Sequence, residues 1–155
     1  MASDADLAWM RAAMQAARTG LAAGEPPFGA VVVDAAGREV ARAHDQVNAL
    51  RDMSRHSEIE AVRASCAARG PDLSGCTLYA TTEPCAMCFT SAWLARVSRI
   101  VYGCTMAEVA AVAPSQREVP VPVAVMNAAT AQPLALEGGV LGRECLAMFE
   151  AWAGT

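Results

Sequence analysis

Leu78-Tyr79-Ala80-Thr81-Thr82-Glu83-Pro84-Cys85-Ala86-Met87-Cys88 decides the fold of this 155-residue chain. The run up to residue 81 is rich in aromatic and β-branched residues and predicts a strand over 76–81. A helix then opens at Pro84-Cys85 and runs to about residue 95. Proline is favoured in the first helical turn, where its missing N–H costs nothing, and Thr81, Thr82 and Glu83 just before it supply candidate caps. A second strand is expected over 99–102. Strand, helix, strand within one sheet requires a right-handed crossover and therefore a parallel pair.

Working outward, Leu7, Met10, Met14, Ala17 and Leu21 recur at helical spacing after Ser3-Asp4 and end near Gly20 and Gly24. Residues 28–34 are β-rich, and Ala35-Ala36-Gly37 turns them into a partner strand over 38–43, a hairpin. Residues 44–54 lack periodicity and read as a loop. Ile59, Val62, Ala64, Cys66 and Ala67 fit a helix that His56 and Glu58 open and that Gly70-Pro71-Asp72 stops. Downstream, the expectation is a short helix over 106–112, an exposed loop over 113–118, a last strand over 120–126 and a terminal helix over 142–152. No repeat or linker interrupts this order, so one domain spans 1–155, an α/β fold with a mixed sheet.

Composition excludes several classes. With 54% hydrophobic residues the chain can bury a sizeable core without disulfide staples. The N-terminus carries Asp4 and Asp6 and no apolar h-region, so a signal peptide is not expected, and the six cysteines are read in a reducing cytoplasm. Charged residues, Gly or Pro break every apolar run before the roughly 18 residues a membrane helix needs. Net charge is −4, which argues against a polyanionic partner. The arginines that would have to gather into a patch are Arg38, Arg42, Arg51, Arg55, Arg96 and Arg99.

The chemistry-bearing residues are His56, Glu58, Cys85 and Cys88. One imidazole and two thiolates form the three-ligand set of a catalytic zinc that keeps a fourth position for water. Cys85 and Cys88, three apart, share a helix face, and a helix N-terminus and a metal both lower a thiol's pKa. Glu58 would crowd the site as another ligand and is assigned proton transfer. Zinc lowers the pKa of its water to about 7; Glu58 takes that proton, protonates a ring nitrogen, and in a later transfer protonates the departing amine. N–H groups at the start of the Pro84 helix are placed to stabilise developing negative charge. Two other readings compete. A redox dithiol leaves His56 and Glu58 idle, and a structural zinc knuckle needs ligands that the scattered Cys66, Cys76, Cys104 and Cys145, or His44, are not spaced to supply.

The pattern H-x-E…P-C-x-x-C is the signature of zinc deaminases, and the chain resembles the cytidine deaminase superfamily, in the branch of guanine deaminase, cytosine deaminase and the tRNA adenosine deaminases. The resemblance is carried by Pro27-Phe28-Gly29-Ala30-Val31-Val32-Val33, His56-Ser57-Glu58-Ile59, residues 78–88 and Arg99-Ile100-Val101-Tyr102-Gly103. Gly138-Gly139-Val140-Leu141 with Glu144-Cys145 resembles the branch's C-terminal segment. The resemblance implies a three-layer α/β/α sandwich with a five-stranded mixed sheet, a bound Zn2+ and a homodimer or tetramer.

It also implies substrate contacts. Pro27-Phe28-Gly29 looks closer to the guanine deaminases than to the tRNA enzymes, and Phe28 is a candidate stacking surface, with core packing as the competing role. Eleven residues before His56 the family carries a substrate-binding asparagine, and here Asp45 stands there. An ionised carboxylate only accepts hydrogen bonds, so Asp45 favours an edge with N–H donors, such as the amino-lactam edge of guanine or isocytosine. Solvation of Asp45, or its replacement by His44, is the alternative. Ser57 stands where alanine is usual, its backbone N–H expected to reach substrate. Glu83 and Trp93 complete the candidate contacts, with core or dimer packing competing for Trp93, Phe149 and Trp152. The expectation is a zinc-dependent aminohydrolase that turns an amino-substituted free base (guanine-, isocytosine- or cytosine-like) into its oxo form. A tRNA-specific adenosine deaminase is the alternative.

Overall fold

The computed structural model describes residues 1–155. The elements are α1 (Asp4–Ala22), β1 (Gly29–Val33), β2 (Glu39–His44), α2 (Ser57–Arg69), β3 (Thr77–Thr82), α3 (Ala86–Leu94), β4 (Arg99–Cys104), α4 (Met106–Val112), α5 (Val123–Ala128), β5 (Ala135–Glu137) and α6 (Gly142–Ala153). The strands form one sheet in the order β2-β1-β3-β4-β5. β1 runs antiparallel to β2 and β3, whereas β3, β4 and β5 are parallel, so the sheet is mixed, as expected.

Alternation along the strands divides the core into two layers. Val31, Val33, Tyr79 and Val101 pack with Met10, Met14 and Ala17 of α1 and with Cys145, Met148 and Phe149 of α6. Ala30, Val32, Leu78 and Ile100 point the other way, onto Ala61 and Val62 of α2, Phe89 and Ala92 of α3 and Val123 of α5. Successive residues of a strand face opposite sides, and here both sides meet helices, giving the α/β/α sandwich. Burying a side chain such as Phe149, which is fully enclosed, contributes roughly 1.5–3 kcal/mol.

α1 begins with a reciprocal cap between Ser3 and Asp6. Asp6 also accepts from Tyr79 Oη (2.8 Å) and from Arg99 (2.7 and 3.1 Å), fastening α1 to β3 and β4. Gly29 lets β1 approach α1 closely, because a Cβ there would collide with the Ala13 carbonyl oxygen and the Ala17 amide nitrogen.

The fifth strand differs from expectation. Residues 123–128 are helical, and the strand is Ala135–Glu137. Val121, Val123 and Val125 alternate as a strand would, but Pro120 and Pro122 cannot donate to a ladder, and Pro122 instead leads into α5. Asn127 then closes the following loop by accepting from Leu134 N–H (2.7 Å) and donating to Leu134 O (2.8 Å), which brings residues 135–137 to the free edge of β4.

Candidate active site

His56 and Cys85 occupy the N-cap positions of α2 and α3, and neither side chain caps a backbone N–H of its helix. Both are therefore free to turn outward while the helix starts hold them. The sequence-based expectation put Pro84 inside the helix; instead Pro84 precedes the cap and Cys88 falls in the first turn. The sulfurs of Cys85 and Cys88 lie 3.5 Å apart, and His56 Nδ1 is 3.7 Å from Cys85 and 3.5 Å from Cys88. Tetrahedral zinc at ordinary bond lengths puts such sulfurs about 3.8 Å apart and each about 3.6 Å from the imidazole nitrogen. The donor set and its spacing fit zinc.

Glu58 sits in the first turn of α2, buried. Its Oε2 accepts from the Ser57 hydroxyl (3.1 Å) and stands 3.6 Å from Cys88 Sγ, beside the metal position. Burial pushes its carboxyl upward, and the His56 charge pulls it down. Cys85 is held well below an ordinary thiol, at about 4, by its hydrogen bond with Cys88, against the effect of burial. That same bond, together with burial, pushes Cys88 up. His56 is raised to about 9 by its bond to Cys85.

A cavity of about 320 Å³ opens over this cluster, lined by Phe28, Asp45, His56, Glu58, Glu118 and Trp152 among others. The Phe28 ring is parallel to the His56 ring within 8°, centroids 6.5 Å apart, and its edge meets Phe149 at 4.8 Å. Asp45 is 3% exposed, and its Oδ1 accepts the Ser57 N–H at 2.7 Å. Burial, and then the neighbouring Glu58, pushes the Asp45 carboxyl up to about 8; a dication held by His56 acts in the opposite sense. The loop that carries Asp45 is set by buried Glu25, which accepts from the N–H groups of Asn48 (3.0 Å) and Ala49 (2.7 Å).

Three candidate contacts are placed differently from expectation. Ser57 does not line the cavity: its N–H is taken by Asp45 and its hydroxyl by Glu58. Glu83 borders the cavity, but both its oxygens accept backbone N–H groups, from Met106 (3.0 Å) and Val123 (2.7 Å). Trp93 lies outside the cavity, because the α3 face that carries it packs against the loop before β5, where its indole N–H donates to Gln132 O (3.0 Å). His44 also lies outside, its ring against Gly20 and its Nδ1 2.7 Å from Asp45 O.

Trp152 of α6 forms part of the wall, the placement weighed for it against core or dimer packing. Ser115, Gln116, Arg117 and Glu118 reach the cavity unanticipated, from the segment expected to be an exposed loop. Burial pushes Glu118 up to about 7, with the Cys85 charge adding to it. The one sequence signal was a polar run, Ser115 to Glu118, between Pro114 and Pro120.

Similarity to known proteins agrees with this geometry. A tRNA-specific adenosine deaminase of Agrobacterium fabrum is 40% identical over 96 residues, 61% of this chain and 62% of that protein. A probable cytosine deaminase of Schizosaccharomyces pombe is 35% identical over 101 residues, 65% of this chain and 61% of that protein. A tRNA(Ile)-lysidine synthase of Deinococcus deserti is 46% identical over 95 residues, 61% of this chain but 18% of its own length. The matches thus span less than two thirds of these curated relatives. Among solved structures, guanine deaminase from Nitrosomonas europaea superposes with a TM-score of 0.87 at 25% identity, covering 100% of this chain and 87% of that one. A tRNA:A34 deaminase studied for A-to-I editing gives 0.76 at 30%, covering 91% and 98%. The sequence model for the cytidine and deoxycytidylate deaminase zinc-binding region matches residues 3–104, the stretch that holds all three metal donors and Glu58, and the chain belongs to that family.

Proposed function

We propose that this protein is a zinc-dependent hydrolytic deaminase of a free heterocyclic base whose reacting edge carries N–H donors, guanine- or isocytosine-like. The observation that carries this is the cavity itself. Its Phe28 and His56 rings stand parallel at 6.5 Å, close to the about 7 Å that a flat ring stacked between two others needs. Three carboxyl groups, Asp45, Glu58 and Glu118, line the same cavity. Its size is at the small end of ligand sites, suited to a base.

Zinc held by His56, Cys85 and Cys88 supplies Lewis-acid activation of a water at neutral pH. The chain's own groups supply the rest. Glu58, with Oε2 fixed by the Ser57 hydroxyl, has its other oxygen to carry the first proton of the attacking water to the ring nitrogen and the second, from the added hydroxyl, to the departing amine. Oxygen adds to the ring carbon, the carbon–nitrogen bond breaks, and ammonia leaves with the oxo product behind. Asp45, its Oδ1 fixed by Ser57, presents Oδ2 to the donor-bearing edge.

The distribution of arginine supports a small substrate. Of the arginines that would have to form a patch, Arg38, Arg42, Arg55 and Arg99 are paired with carboxylates. A chain binding the backbone of an RNA loop keeps such charges for phosphates. The second reading, a tRNA adenosine deaminase, is favoured by the 40% identity to the Agrobacterium enzyme. Ammonia release by zinc-loaded protein separates the two, with guanine, isocytosine, cytosine, adenine, their nucleosides and an adenosine-containing stem-loop as substrates. Turnover of a free base is the expected result. Activity confined to the stem-loop would replace this reading with RNA editing.

A further inference from the structure

We propose that Glu83 is a positioning residue that straps the segment 113–122, and with it Glu118, over the metal cluster. This rests on the reading of Glu118 as a substrate-facing carboxyl of the deaminase cavity.

Glu83 is 6% exposed and grips three elements at once. Its own N–H donates to Cys104 O (2.8 Å), joining the end of β3 to the end of β4. Its Oε2 accepts from Met106 N–H (3.0 Å) and its Oε1 from Val123 N–H (2.7 Å). Met106 and Val123 are the first residues of α4 and α5. Helix starts have N–H groups without intrahelical partners, so one side chain satisfies a free donor at each start.

α4 itself is held by its own cap and by buried Val109 and Ala113, but beyond Ala113 the chain has little fastening until α5. Within 114–121 the backbone N–H bonds run only from Gln116 to Ala113 O and from Val121 to Val119 O, both local. No side chain from Ser115 to Glu118 makes a hydrogen bond to the protein. Pro114, Pro120 and Pro122 remove three donors that could have made one. The position of Glu118 thus depends on its two flanks, α4 ending at buried Ala113 and the start of α5, and Glu83 holds the first residue of both helices. A second, smaller cavity of about 100 Å³ is bordered by Glu83, Glu118, Met106, Ala110 and Pro120, so strap and cargo share one space. Glu83 is also two residues from Cys85, which makes the anchor of this segment continuous with a metal ligand.

The test is a double-mutant cycle with Glu83→Gln and Glu118→Gln, reading kcat and KM for the base turned over, zinc per chain, and amide hydrogen exchange over 105–123. Glutamine keeps the shape of Glu83 but turns an NH2 toward one of the two N–H donors. The expected single-variant loss is about 10- to 100-fold in kcat/KM, with zinc retained, the KM-against-kcat split of Glu118→Gln reproduced, and exchange raised over 105–123 while 86–94 stays protected. In the Glu118→Gln background the same change adds less than about threefold. Multiplying effects, lost zinc or unchanged exchange would each overturn the proposal. A silent Glu118→Gln with raised exchange would instead remove the role given to Glu118, and so overturn Glu83 as its positioning residue while leaving the zinc chemistry intact. Should Glu83→Gln fail to fold, Val123→Pro deletes one donor at a helical position where proline is tolerated, and the same readouts apply.

Discussion

Asp45→Asn inverts the polarity of one point in the cavity. Oδ1 of Asp45 accepts the Ser57 N–H at 2.7 Å, and the amide oxygen of asparagine must keep that bond, because its NH2 would otherwise face an N–H. The NH2 therefore takes the place of Oδ2, and an acceptor becomes a donor. Against a substrate edge that carries N–H groups, this replaces a hydrogen bond to a charged group by two opposed donors. Leaving a buried donor without its acceptor costs about 1–3 kcal/mol, so kcat/KM for guanine or isocytosine should fall about 5- to 150-fold. For cytosine or adenine, whose ring nitrogens accept, it should hold or rise. Ammonia release at saturating zinc, with zinc content and thermal midpoint as controls, gives the ratio between the two groups of substrates. A ratio unchanged within about threefold would refute the assignment of Asp45 to the substrate edge, since loss of a merely solvated carboxylate moves both groups alike.

Glu58→Ala should keep one zinc per chain by mass spectrometry and lose about 10²- to 10⁴-fold in kcat; retained turnover would dismiss Glu58 as the proton carrier. Gly29→Ala drives a Cβ into the Ala13 carbonyl oxygen and the Ala17 amide nitrogen. Backbone cannot step aside as a side chain can, so a cost of about 1–3 kcal/mol is expected, visible as a thermal midpoint lower by about 3–10 °C. Asp6 is held well below the usual carboxylate range, first by its bonds to Arg99, and Asp34 is lowered to about 2, first by the Arg38 N–H. Folded pKa values below the unfolded ones mean that stability is fully present above about pH 4 and lost as pH falls toward 2. Acid titration followed by circular dichroism should show that loss, and Arg99→Gln should move the Asp6 share of it upward in pH.

The sandwich and the metal cluster were legible because each rests on short-range rules. The β-rich composition of residues 28–34 and 76–81, helical spacing in α1 and the Gly70-Pro71 stop all act within a few residues. The Cys-x-x-Cys spacing needs only one turn of helix. The rest depends on contacts far apart in sequence. Trp93 and Trp152 look alike as aromatic residues on helices, yet one meets Gln132 and the other the cavity, a difference set by which side of the sheet each helix packs on. Residues 120–126 have the alternation of a strand, but Pro120 and Pro122 cannot join a ladder, and the bond from Val123 N–H to Glu83, 40 residues away, helps to anchor them as the start of a helix. Glu118 gave no periodic signal because it is placed by its flanks.

Buried acids in this protein fall into two kinds, and the environment sorts them. Asp6 and Asp34 face guanidinium groups and are lowered; they join elements and gain stability from ionisation. Glu25 and Glu83 each hold two backbone N–H groups and fix loops. Asp45, Glu58 and Glu118 have no arginine or lysine bonded to them, line one cavity with His56, and are all raised, chiefly by burial. Collecting three such groups costs stability, since each disfavours the charge of the others. Asp45 ties the end of β2 to the start of α2 through Ser57 N–H, whereas Glu118 makes no bond that joins elements. A dication held by His56, Cys85 and Cys88 would offset part of the repulsion, and raised carboxyls gathered in a cleft mark a candidate functional site. The acids thus gather at the same centre as the metal donors do.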